Sequence, residues 1–182
     1  ATSNQGVNIG TSGNRTGSVT LGATSTDSVL AETIAAGGGI GFAIQGAVAD
    51  GDVVTTVATE MNNANIYTAN AINSMASSNS AATTDSTGVS ISGGLAAGVS
   101  LAESKLDVTV SNNVLGGSVR DGGSVSIGSE ITRGRNDSDA LAAAGALVGV
   151  AGSDAESDNT SSAITTVSGS TINSGGQVSI TA

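Results

Sequence analysis

Gly122-Gly123-Ser124-Val125-Ser126-Ile127 returns as Gly175-Gly176-Gln177-Val178-Ser179-Ile180, 53 residues further on. Each copy joins two glycines, suited to a sharp corner, to an alternation of β-branched and small polar residues. That alternation suits a strand with one covered face. Related heads stand at Val19-Thr20-Leu21 and, less regularly, at Ile66-Tyr67-Thr68. After each of the first three heads comes a run rich in glycine and alanine, at 37–49, 93–102 and 142–151. A second alternating segment follows each run, at 54–57, 108–110 and 164–167. Each unit is too sparse in large apolar residues to bury a core by itself, so the pattern points to stacked repeats.

This reading divides the chain into the end of a preceding repeat (1–18), three repeats (19–65, 66–124, 125–177) and the first strand of another (178–182). Spacings between corresponding strands run from 53 to 59 residues, for example 53 from Val57 to Val110 and 59 from Ile66 to Val125. The expected fold is all-β, a solenoid of about three imperfect repeats of 50–60 residues. At the usual coil length a unit would make two or three coils. Equivalent residues would then lie roughly 10–15 Å apart. Two stretches, 60–75 and 138–147, have some helical spacing, but asparagines in one and glycine in the other assign both to the solenoid or its loops.

Composition supports a ladder of hydrogen bonds over a conventional core. The 182 residues include no proline, which would interrupt a sheet, and only one Phe and one Tyr with no Trp. Cysteine and histidine are absent. This removes disulfides, thiolate metal sites and the serine triad, and no phosphate-binding glycine loop is present. We therefore expect no enzyme. A net charge of −10 excludes a basic nucleic-acid stripe, and no apolar run has the length of a membrane span.

The carboxylates are the one constellation that could hold a ligand. Asp50, Asp52, Asp137, Asp139, Asp154, Glu156 and Asp158 flank the apolar runs and are candidate Ca²⁺ ligands, Ca²⁺ being the only cofactor in view. Solvated loops that keep the rod soluble are the competing explanation. Within the runs, as in Ile40-Gly41-Phe42-Ala43-Ile44, large residues share one face and the other is nearly bare. Gly and Ala then either line a narrow interior or form a flat outer face for a neighbour. Gly41, Ala43, Gly94, Gly98, Gly145 and Gly149 are the candidates for such lateral packing.

The strand heads at 18–23, 122–128 and 172–182 resemble repeats of giant bacterial surface proteins, the filamentous-haemagglutinin-like adhesins. The resemblance implies a right-handed parallel β-helix, an extracellular or cell-surface location and a structural or adhesive role. The leading expectation is a self-assembling fibre or surface-rod component, its coils stacked between subunits or along a longer chain. Its partners would be copies of itself, head to tail and laterally. The alternatives are an adhesin stalk gripping a cell-surface or glycan ligand, and a functional amyloid subunit.

Overall fold

A computed structural model describes residues 6–182. It is all-β: no helix occurs among these residues, and every strand pairing is parallel. The first coil comprises β1 (Asn8–Ile9), β2 (Val19–Gly39) and β3 (Phe42–Asn62). Above it lies a coil of β4 (Asn65–Thr68), β5 (Ala71–Ser92) and β6 (Leu95–Leu115). The third coil has β7 (Ser118–Asp121), β8 (Ser124–Gly145) and an interrupted side of β9 (Val148–Asn159) and β10 (Ser162–Ser168). β11 (Thr171–Ser174) and β12 (Val178–Thr181) begin a fourth. Like strands stack into three sheets: a narrow one (β1-β4-β7-β11) and two broad ones, β2-β5-β8-β12 and β3-β6 with β9 and β10.

The parallel β-solenoid expected from the sequence is therefore present, but one turn consumes a whole repeat, not half or a third of one. The strand heads and the apolar runs are parts of single strands of 21 or 22 residues. At about 3.3 Å per residue such a strand runs about 70 Å, while adjacent rungs are about 4.8 Å apart. Equivalent residues thus sit one rung apart, not 10–15 Å. No proline stops these strands, and the period-two alternation continues unbroken across them.

Register also corrects the start of the second repeat. Val19 pairs with Ile72, and Val125 with Val178. Ile66 belongs to the narrow sheet, in a column with Ile9, Val119 and Ile172. The spacing is then 53 residues almost throughout. Its one irregularity is a bulge opposite Ser78 and Asn79, where Thr132 is the extra residue and its hydroxyl donates to the Ser78 carbonyl at 2.9 Å.

The double glycines of the repeated head are explained by close stacking. A Cβ on Gly122 would lie 2.5 Å from the Ala69 carbonyl oxygen, and one on Gly175 2.5 Å from that of Gly122. Corner rests directly on corner, with no room for a side chain. Left-handed backbone is confined to other corners, such as Gly116 (φ 66°) and Gly117 (φ 75°).

The interior changes character along the coil. Near the narrow sheet, Ile66, Ile72, Val114, Val119, Val125 and Ile127 form one aliphatic cluster. Val53, Val57, Leu106, Val108 and Val110 form the next. Toward the β2–β3 and β5–β6 arcs the inward residues shrink to Ser86, Gly88 and Ser90 facing Ala96, Gly98 and Ser100. There the two broad sheets approach to backbone contact: a Cβ on Gly88 would lie 2.6 Å from the Val99 carbonyl oxygen. Hydroxyls bridge the gap. Ser100 donates to the Ser86 carbonyl at 2.6 Å, and Ser90 to the Ala43 carbonyl at 3.1 Å.

Candidate functional site

The 53-residue register arranges the acidic residues in columns. Asp50, Glu103 and Glu156 succeed one another on the outer face of the β3-β6-β9 sheet. Glu32, Asp85 and Asp139 do the same on the β2-β5-β8 sheet. Asp52 and Asp158 flank Lys105 in a third column. Asp154 continues the column of Val48 and Leu101, beside a cleft of about 180 Å³ that also meets Asp50, Glu103 and Glu156. Asp137 pairs with Arg135 at 2.8 Å, both half exposed. Among the described residues no three carboxylates converge as ligands of one metal ion. Column spacing lines the side chains up along the surface, whereas Ca²⁺ needs six to eight oxygens around a point. Glu32, Asp85 and Glu103 were not singled out from the sequence, although adding 53 to each position leads to them.

The six small residues proposed for lateral packing fall into three places. Gly41 and Gly94 lie in the arcs, stacked backbone on backbone. Ala43, Gly98 and Gly149 point inward, Ala43 and Gly98 buried between the broad sheets. Gly145 ends β8 on the outer side, above Ile91. Both sequence readings meet here: the small residues line a narrow interior, and the large residues between them point outward. On the β3-β6-β9 sheet these are Phe42, Ile44, Val48, Leu95, Val99, Leu101, Val148 and Val150, all exposed. Ile40 at the tip of the first arc is 98% exposed.

This apolar end has a sharp border. No charged residue occurs at 33–49, 86–102 or 140–153. The columns Glu32–Asp85–Asp139 and Asp50–Glu103–Glu156 close it off at the same depth on both faces.

The remaining candidate surfaces are the first and last rungs. The free edges of β2 and β3 carry backbone donors and acceptors without a partner strand, as do β9, β10 and most of β8 on the opposite side. At the first rung the aliphatic interior opens into a cleft of about 230 Å³ lined by Ile9, Val19, Leu21, Met61, Ala64 and Ile66. Asp27 sits on this rung and links the broad sheets: its Oδ2 accepts from Ser25 at 2.5 Å and from Thr55 at 2.8 Å. These two hydrogen bonds, that from Ser25 first, hold its carboxyl below the usual value. Deeper inside, Asp121 accepts from Thr68 at 2.6 Å and from the Gly123 N–H at 3.1 Å, tying adjacent corners together.

No family model, curated protein or solved structure matches this chain. No helix among the described residues is long and apolar enough to cross a membrane.

Proposed function

We propose that this chain is a structural element of an extracellular fibre or surface rod, extended by coils that stack on its exposed rungs. The observation that carries the reading is the constant 53-residue register. Because each rung repeats the backbone pattern of the one below, its edge is a template for another of the same kind. The interior matches as well: Met61, Val114 and Val167 form one column, and Val19, Ile72, Val125 and Val178 another. A further coil would cover the aliphatic cleft at the first rung.

The covering coil is either more of the same polypeptide or a second copy. β11 and β12 occupy the places that β1 and the head of β2 take in the first coil. A second copy would therefore dock through β3 and the part of β2 beyond Ala23, with its residues 8–22 displaced. Continuation of one chain requires no displacement. The cell-surface location rests on the resemblance to the adhesin repeats.

Electron microscopy and diffraction of the native material test this. The expected result is a rod with a repeat near 4.8 Å along its axis and one coil per 53 residues. Compact particles without that repeat would refute the proposal.

A further inference from the structure

We propose that the apolar arc end of the β3-β6-β9 sheet is where two rods pair side by side, the occupant being the same face of a second copy. The inference rests on the rod reading and adds a lateral surface to it. Phe42, Ile44, Leu95, Val99, Val148 and Val150 form its rows, each exposed and backed by a bare interior. Burying large side chains inward is impossible here because the sheets already touch through backbone at Gly88 and Gly98. The apolar area these strands carry is therefore on the outside, and only another molecule can cover it.

Three observations select a second copy. First, the rows recur once per rung, about every 4.8 Å, and contacts stay in step over many rungs only against a sheet of the same spacing. A second copy supplies that spacing. Second, the chain carries a net charge of −10, so two copies repel except where neither has charge. The face between the arc tip and the Asp50–Glu103–Glu156 column is such a region. If the two tips point in opposite directions, each acidic column lies beside the other copy's uncharged tip. The columns are then about 25 Å apart along the strands, well beyond a Debye length of about 8 Å. Third, a hydrocarbon environment does not suit this end, since β2, β3, β8 and β9 have open edges there and lipid cannot satisfy backbone N–H and C=O groups.

Area then links lateral pairing to rod length. The face is about 25 Å along the strands, so each rung contributes about 120 Å². Three rungs offer about 360 Å², whereas a stable interface covers about 800 Å² per partner, or about seven rungs. Rods pair cooperatively once they are long, and a three-coil piece pairs weakly.

The chain lacks cysteine, so single thiols can be placed cleanly. Val99→Cys puts one in the middle of the face. Ser111→Cys puts one on the same sheet and strand about 40 Å away, outside the apolar region. A short-arm bismaleimide cannot span copies stacked end to end, whose equivalent thiols lie at least three rungs, about 14 Å, apart. Cross-linked dimers therefore report face-to-face contact alone. We expect Val99→Cys to cross-link at least about tenfold faster than Ser111→Cys. Leu95→Asp in the same chain should abolish the difference while circular dichroism still shows the β-fold. Equal rates for the two thiols, or a rate indifferent to Leu95→Asp, overturn the inference. So does flotation of the protein with phosphatidylcholine vesicles that suppress the cross-link, which would identify lipid as the occupant. If rods are absent but Val99→Cys still cross-links selectively, the axial reading falls and the lateral one stands. Rods without Val99 cross-links have the opposite meaning.

Discussion

The two ends of the flattened coil follow opposite rules. Beside the narrow sheet, aliphatic residues such as Ile72, Val125 and Leu106 point inward, and Thr20, Asn73 and Ser126 point to solvent. At the arc end the inward positions are Ser86, Gly88, Ala96 and Gly98, and the outward ones are Ile44, Leu95 and Val150. Backbone conformation and register are the same at both ends. What differs is the gap between the broad sheets. Where it is wide, side chains fill it and the hydrophobic effect holds the coil together. Where it closes to backbone contact, hydroxyl bridges and the rung-to-rung ladder must hold it.

Truncation should expose that difference most strongly. Leu106→Ala removes a fully buried side chain from the aliphatic end and should cost about 2–5 kcal/mol in urea-induced unfolding. Leu95→Thr, on the outer face of the arc end of the same strand, should change stability by less than about 0.5 kcal/mol. Equal losses would mean that the arc end has a core of the ordinary kind, and the contrast would fail.

Adding volume should have the reverse geography. Gly88→Ala places a methyl against the Val99 carbonyl and should destabilise by about 1–3 kcal/mol through forced separation of the sheets. Gly22→Ala, on the outer face of β2 with open space around it, should be neutral or slightly stabilising. Thermal melts of the two variants decide this. A tolerated Gly88→Ala would show that the sheets can part.

The smallest effect concerns Asp27, which joins the sheets where the gap is still wide. Its folded carboxyl titrates below the ordinary value, so its contribution is present above the unfolded value and is lost as pH falls through the folded one. Thr55→Val deletes one donor and should move the Asp27 midpoint upward in an NMR titration, leaving the partial shift due to Ser25. An unmoved midpoint would show that the bridge across the gap does not set it.

Much of this was readable from residues. The Val-Ser-Ile heads, their glycine pairs and the absence of proline announced parallel-stacked strands with tight corners. The bare and bulky faces of Ile40-Gly41-Phe42-Ala43-Ile44 were visible too. Coil length was not. Alternation looks the same in a strand of five residues as in one of 21, and nothing local marks where β5 ends before Ser92. The carboxylate columns stayed hidden for a related reason: they appear only once 53 residues are known to make one turn. The double glycines were legible as corners, but their cause is close stacking at Gly122 and Gly175, which depends on the coil below.

Sequence alone determined that this chain would be β, repetitive, free of histidine and cysteine chemistry, and acidic. Those properties follow from side-chain types and their period, which are local. Tertiary structure decided how far each strand runs, which carboxylates become neighbours and which face of the Gly/Ala runs meets solvent. These depend on the distance between two sheets, a quantity set jointly by residues far apart in the chain, such as Gly88 and Val99 across the arc and Gly98 and Ala143 between coils.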